Sequence, residues 1–561
     1  MIKIDERQTN KLPGKTSLFI SFKYNPLIIE IIKQCDVSTY DKKSFEWEVP
    51  NTSLSYLLER LSEIDDVELN LLQDETPVEP QPVVLNDNEY ITKPYQYQLD
   101  GIKFGVEHNK WLLLDAPGLG KTLQVIYIAQ ELKQRKNIEH CLIICGVNTL
   151  KNNWKNEVFK HSNLSCKILG ERVNRKGKTV IGSVNDRLED LKSPIDEFFV
   201  ITNIETLRNN DIIKELKSNK NNKFDMIVVD ELHTAKSSTS QQGKNLLKLK
   251  ADYQIGLTGT ILMNSPMDVY VPLKWIDAER STLTNFKFYY CNLTGQFNNI
   301  LLGYRNTNVL KDMLESVSLR RTKDLIDLPE KNVITEYVDM NDKQKDFYDN
   351  IKQGIIEQVD KVHMSTSSLL AMVSRLRQAT ACPKILTTEQ INSSKIDRAE
   401  DLSRQILENG DKVVIFSTFK DTLKQLQEQL NDLTPIVCAG DMKDEEVAYN
   451  INRFQNDSSC KVMLATWQKM GTGITLTAAS YAIFIDTPWT QAVFQQAQDR
   501  IHRIGSKKPV FIYNLVCRDT VDERVLELVE DKGAMSDYIV DDEKLTENIT
   551  NRLRKYIQDL E

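Results

Sequence analysis

Three groups of residues, distant in the chain, have the types that hydrolysis of a nucleoside triphosphate requires. The first is Asp115-Ala-Pro-Gly-Leu-Gly-Lys-Thr122, directly after the apolar run Trp111-Leu-Leu-Leu114. A phosphate loop needs glycines, so that backbone N–H groups come close to phosphate oxygens, and then a helix N-terminus that favours negative charge. Pro117, Gly118, Leu119 and Gly120 form the turn, Lys121 is placed to reach the β- and γ-phosphates, and the Thr122 hydroxyl to hold Mg²⁺. The usual pattern begins with glycine where this chain has Asp115. The second group is Asp230-Glu-Leu-His233, which follows four apolar residues. Asp230 then sits at the carboxyl end of a strand, where open α/β sheets place their ligands. Its carboxylate can hold Mg²⁺, and Glu231 can polarise the attacking water. The third group is Arg500 and Arg503, three apart and so on one face of a helix. An arginine brought to the γ-phosphoryl oxygens adds several powers of ten to the rate.

The elements that must position these groups show in the hydrophobic pattern. Cys141-Leu-Ile-Ile-Cys145, Phe198-Phe-Val-Ile201 and Met226-Ile-Val-Val229 join Trp111-Leu-Leu-Leu114 as near-continuous apolar runs. A second set comprises Lys412-Val-Val-Ile-Phe416, Lys461-Val-Met-Leu464, Tyr481-Ala-Ile-Phe-Ile485 and Val510-Phe-Ile-Tyr513. Such runs between amphipathic stretches predict parallel sheets covered on both faces. The fold class is therefore α/β, with a first lobe over residues 93–275, a helical insert over 276–400, a second lobe over 401–530 and a helical tail over 531–561. Ahead of them, residues 1–72 alternate strand-like and helical patterns, as a small α+β module with Thr52 or Ser53 capping its second helix. Residues 73–92 are acidic and proline-rich and are expected to be a linker.

The 561 residues suffice for about three or four domains. The net charge of −8, from 72 Lys+Arg and 80 Asp+Glu, gives no global case for nucleic-acid binding. No signal-peptide pattern or long apolar run is present, so an intracellular protein is expected. Nine cysteines without a Cys-x-x-Cys pair point to reduced core thiols.

With these motifs in hand, the chain resembles the helicase-like ATPases of superfamily 2, and within them the Swi/Snf-type DNA translocases, for which Asp115 is ordinary. Tyr97 and Gln98 look like that family's adenine-recognising motif. Asn153 and Trp154, Thr202 to Thr206, and Leu257-Thr-Gly-Thr260 (with Thr258 and Gly259) are similar to its DNA-facing segments, as is Ser417. Gln496 through Arg503 matches its Gln-Ala-x-x-Arg-x-His-Arg-Ile-Gly signature, with His502 in a structural or coupling role. Gly471, Thr472 and Gly473 correspond to its glycine-rich motif, and Asp486 and Trp489 to the segment after it. Arg320 and Arg321 fall in the insert, and Thr520-Val-Asp-Glu523 resembles the C-terminal brace. Met470, Thr475, Val447 and Ile261 depart from the pattern.

The resemblance implies two RecA-like lobes that bind ATP and Mg²⁺ between them, as a monomer, and track double-stranded or branched DNA in repair, replication or recombination. The compact insert and a Lys-, Asn- and Ile-rich composition point to a bacterial or phage setting. A strand-separating DNA or RNA helicase, a motor that remodels a DNA-bound protein, and a non-catalytic ATP-binding scaffold are the rival readings. Phe22 to Pro26, with Trp47 and Pro50, resembles the HARP-type module of some annealing-helicase relatives. Phe22 and Trp47 could stack on unpaired bases or fill a small core.

Overall fold

The computed structural model describes residues 2–8, 16–35, 38–71, 83–146, 148–173, 179–218, 223–259, 266–294, 300–326, 328–361, 366–440, 442–467, 474–489 and 491–530. The apolar runs become strands buried on both faces, as runs without polar alternation must. In the first lobe seven strands lie in the order Ser318–Leu319, Lys110–Leu113, Tyr253–Leu257, Met226–Asp230, Cys141–Cys145, Phe199–Asn203 and Cys166–Ile168. Every neighbouring pair is parallel. The carboxyl ends of all seven therefore share one edge, and this brings the loop after Leu113 and the carboxylate of Asp230 to the same side.

The second lobe has six parallel strands, ordered Lys331–Val338, Val510–Cys517, Tyr481–Phe484, Val413–Ser417, Val462–Thr466 and Ile436–Cys438. With its two sheets flanked by helices, the chain has the α/β architecture of two parallel-sheet lobes that the hydrophobic pattern predicts.

Several boundaries differ from the sequence expectation. The interval 276–400 is no separate helical insert: Ser318–Leu319 extends the first sheet, and Lys331–Val338 pairs along its whole length with Val510–Cys517. Its helices Asp342–Lys361 and Thr366–Ala381 pack with Val521–Glu530 around Tyr348, Val373, Leu376 and Val525. There Lys395 and Asp522 form a buried ion pair, and the Val521 amide donates to the Tyr348 hydroxyl at 2.9 Å. Residues 83–92, read as linker, belong to the first lobe. Val83 and Leu85 pack on its core, and the buried Tyr90 stacks on Tyr127 and donates to Glu131 at 2.8 Å. The proline-rich composition masked three apolar anchors. The strand Tyr253–Leu257 escaped the pattern because Gln254 and Gly256 interrupt it. Gln254 is nonetheless fully buried, its amide on the Trp275 carbonyl, and a β-carbon at Gly256 would stand 2.4 Å from Leu232.

The N-terminal module is a five-stranded sheet, ordered Thr39–Asp41, Glu46–Pro50, Thr16–Ser21, Ile2–Gln8 and Val67–Asn70, with helices Pro26–Lys33 and Leu54–Leu61. Ile4, Leu18, Ile20, Val49, Ile28, Ile32 and Leu57 form its core, with Phe22 and Trp47 at the margin. Asn25 caps the first helix, whereas Ser53 makes no side-chain cap bond at the second, which is entered through a 3₁₀ turn. The residues 531–561 lie outside those described.

Candidate active site between the lobes

The strand Lys110–Leu113 delivers the phosphate loop. Asp115 is fully buried there and pairs with Arg321, whose Nε and Nη2 donate to the two carboxylate oxygens at 2.9 and 2.5 Å. Arg321 also donates to Gln124 at 2.7 Å and to the Tyr97 carbonyl. The departure from glycine at this position is thus a buried ion pair that fixes the root of the loop. Gly118 and Gly120 have φ of +91° and +74°, a region in which a β-carbon is strained. Lys121–Lys136 follows as a helix, so the loop ends on the amides of its first turn. Lys121 Nζ donates to the Asp115 and Ala116 carbonyls at 2.8 and 3.4 Å.

Gln98 and Tyr97 brace this loop from behind. Gln98 Nε2 and the Tyr97 hydroxyl both donate to the Leu119 carbonyl, at 3.1 and 3.0 Å, and Gln98 Oε1 accepts from the Tyr95 amide at 2.9 Å. Tyr97 and Leu119 are buried, and neither lines the cleft.

The acidic pair sits opposite. Asp230 Oδ2 accepts from the Trp154 indole N–H at 2.9 Å and Oδ1 from the Glu231 amide at 2.9 Å. Burial, and then the charge of Glu231, push Asp230 up to about 6. Glu231 is held below its ordinary value even against burial, by the His233 contact at 3.3 Å and then by Lys121 and Arg500. Its φ of +51° is costly for a side chain of this kind. His233 Nδ1 also lies 3.2 Å from the Thr258 hydroxyl, linking the acidic pair to the strand end at Leu257.

From the second lobe come Arg500 and Arg503. Burial, and then the nearby Arg503, lower Arg500 to about 10, so it stays charged at neutral pH. Arg503 Nη1 donates to the Thr475 hydroxyl at 2.9 Å, which gives a task to one of the residues that depart from the family pattern. Val447, another departure, is simply core. His502 accepts no catalytic duty: its Nε2 lies 2.8 Å from the Pro329 carbonyl.

These groups converge on one cleft of about 1050 Å³. Of the residues singled out in the sequence, Gln98, Pro117, Gly118, Gly120, Lys121, Thr122, Asp230, Glu231, Gln496, Arg500 and Arg503 line it. So do Thr92, Lys93, Tyr95, Glu157, His161, Arg320, Thr475 and Asp499, which motif reading left out or placed elsewhere. Of these, Arg320 carried a signal as half of the Arg320–Arg321 doublet, Asp499 lies inside the Gln496–Arg503 signature, Thr475 was named as a departure from the pattern, and Glu157 lies three residues after Trp154. Among the described residues no group of three or more His, Cys, Asp or Glu could hold a metal unaided. Thr122 and Asp230 alone suit Mg²⁺, which keeps waters and substrate phosphates among its ligands and needs only one or two from the protein.

The residues expected to meet DNA fare differently. Trp154 is buried against Asp230 and, with Asn153 and Gly259, lines the same cleft. Thr202 is buried and donates to Thr206 at 3.0 Å, Thr258 is fully buried, and Ser417 donates to Asp486 at 2.5 Å. Trp489 packs under Arg377, whose guanidinium lies 4.4 Å from the ring centre. In this structure the polar atoms of Trp154, Thr202 and Ser417 have protein partners, Asn153 lines the cleft, Thr258 is buried and Trp489 packs on Arg377. Thr260, Gly471, Thr472 and Gly473 lie outside the described residues, as do Ile261 and Met470.

Comparison with known proteins gives several likenesses. A family model for the SNF2-related domain matches residues 51–385, and one for the helicase conserved C-terminal domain matches 395–505. The chain is 27% identical over 478 residues to an ATP-dependent helicase of Mycoplasma pneumoniae, covering 83% of this chain and 44% of that protein. It is 27% identical over 463 residues to SWI/SNF-related matrix-associated actin-dependent regulator of chromatin subfamily A member 1 of Homo sapiens, covering 79% and 43%. A Sulfolobus solfataricus SWI2/SNF2 ATPase core solved with dsDNA aligns over 85% of this chain and 98% of its own, at 24% identity and a TM-score of 0.38. The chain spans under half the length of these two curated relatives.

Proposed function

Since the chain belongs to the SNF2-related domain family, we propose that it hydrolyses ATP in the cleft between its lobes and uses the cycle to move along double-stranded or branched DNA. The observation that carries this reading is the meeting, in one cavity, of Lys121, Thr122, Asp230 and Glu231 from one lobe with Arg500 and Arg503 from the other.

In the proposed reaction Lys121 and the amides of the loop hold the β- and γ-phosphates. Glu231, ionised and next to Asp230, accepts a proton from the attacking water. Arg500 and Arg503 meet the charge that develops on the γ-phosphoryl oxygens. Thr122 and Asp230 are the ligands for Mg²⁺, which when bound neutralises phosphate charge. Gln98 fixes the loop through the Leu119 carbonyl, an indirect part in nucleotide binding. DNA as the track rests on the family and on the chromatin role in the name of the human relative. The N-terminal module over residues 2–71 we read as a substrate-recognising unit, and the setting as DNA repair, replication or recombination.

Hydrolysis measured without nucleic acid and with single-stranded DNA, duplex DNA, a forked duplex and RNA tests the reading. Duplex or forked DNA should stimulate most; equal rates in all five conditions would overturn the translocase. Lys121→Ala and Glu231→Gln should abolish turnover, and Arg503→Ala should bind ATP yet hydrolyse it poorly. Displacement of a strand from a tailed duplex would favour the strand-separating alternative.

A further inference from the structure

Residues 318–325 pass from the first lobe towards the second beside the phosphate loop. Their backbone extends the first sheet: the Leu112, Leu114 and Ala116 amides donate to the Val317, Leu319 and Arg321 carbonyls at 2.9, 2.8 and 2.9 Å. The strand is therefore zipped to the loop itself as far as Ala116. From there two side chains, two residues apart, point to opposite lobes. Arg321 clasps Asp115 and Gln124 at the root of the loop. Lys323 crosses the cleft, and its Nζ donates to Asp499 Oδ1 at 2.6 Å and to the His502 carbonyl at 2.9 Å.

The second contact bears directly on the arginines. Asp499 adjoins Arg500, is 2% exposed at its side chain, and its negative field acts on both Arg500 and Arg503. An unneutralised carboxylate there would compete with the γ-phosphate for both guanidinium groups, and a buried charge without a partner is costly in itself. Lys323 supplies the partner. By also taking the His502 carbonyl, it fixes the turn from which Arg503 projects.

We propose that Lys323 is a positioning residue for Arg500 and Arg503, and that residues 318–323 form a latch setting the arginine turn at a fixed height over the phosphate loop. This rests on the ATPase reading above. The latch ties the two halves of the site through one strand, so that Lys323 sets the place of the arginine turn relative to the loop when the two face each other as they do here.

Three variants test it: Lys323→Ala, Lys323→Arg and Asp499→Asn, the last nearly isosteric and so expected to fold. Misplacing a reacting group by about 1 Å costs about 10²-fold. Lys323→Ala should therefore lower kcat by about that factor with KM for ATP nearly unchanged, and Lys323→Arg should restore most of it. Combining Lys323→Ala with Asp499→Asn should lower kcat no further than Lys323→Ala alone. Amide hydrogen exchange over residues 499–506, measured without nucleotide, should quicken in Lys323→Ala. An unchanged kcat in Lys323→Ala, or an effect on KM alone, would overturn the proposal. Were the wild-type chain inactive on every nucleic acid, the ATPase reading would fail by itself, and unchanged exchange in Lys323→Ala would then sink the latch separately.

Discussion

Arg503 lies against Gly118: a β-carbon added at Gly118 would stand 3.0 Å from Arg503 Cβ and 3.6 Å from its Cα. The second lobe thus rests on the phosphate loop at a point where only a hydrogen fits. Gly118 also holds φ of +91°. Gly118→Ala should cost about 1–2 kcal/mol of stability from backbone strain and, in addition, push the arginine turn away from the loop. We expect kcat to fall by at least about tenfold, with a modest drop in Tm. Steady-state kinetics beside thermal denaturation check this, and an unaltered kcat would show that the lobes do not need this contact.

Trp154 offers a sharper test, since sequence resemblance and structure assign it different partners. Its indole N–H is the donor that orients Asp230. Trp154→Phe keeps an aromatic ring but removes the pyrrole half of the indole with its N–H donor, so the Mg²⁺ concentration for half-maximal hydrolysis should rise several-fold, in line with lost support for a metal ligand. The fold-stimulation by duplex DNA should stay as it was. A lowered DNA affinity with unchanged Mg²⁺ dependence would return Trp154 to the DNA path.

What the sequence disclosed, and what it hid, follows from how local each signal is. Lys121, Asp230, Glu231, Arg500 and Arg503 were legible because each needs a fixed residue type at a fixed offset from a strand end or helix face. The strands around them were legible where burial on both faces left an unbroken apolar run. Tyr253–Leu257 was not, because its buried glutamine donates its amide to a carbonyl 21 residues away and its glycine is needed by close neighbours. Lys331–Val338 was hidden for another reason: it is an edge strand of mixed character, recognised only through its partner Val510–Cys517. Arg321 falls in the interval read as a helical insert, and no local pattern marks Lys323 beside it. Their partners lie 206 and 176 residues away in the chain, a separation no local pattern reports.

The Asp115–Arg321 pair makes a prediction about stability. Asp115 is fully buried, and Arg321 satisfies both of its carboxylate oxygens. Arg321→Met would strand that charge, a change that costs about 3–5 kcal/mol when one partner of a buried pair is lost. Adding Asp115→Asn should recover part of the loss. Equal chemical-denaturation midpoints for the wild type and Arg321→Met would show that Asp115 does not depend on this partner.

His502 predicts how stability responds to pH. Burial first, and then the cations Lys323 and Lys331, lower its pKa from the ordinary 6.5. The unfolded chain takes up a proton near 6.5 while the folded chain still resists it. The unfolded state therefore binds more protons as pH falls, and stability is lost from about pH 6.5 downward until the lower folded value is passed. Above that window His502 is neutral in both states and contributes no slope. His502→Asn removes the titrating group and should flatten the decline in Tm between pH 7.5 and 5.5, whatever it does to the Tm at pH 7.5 through the Pro329 contact. Parallel curves for the two proteins would mean that His502 protonates in place, and that the turn carrying Arg503 tolerates a third cation beside Lys323 and Lys331.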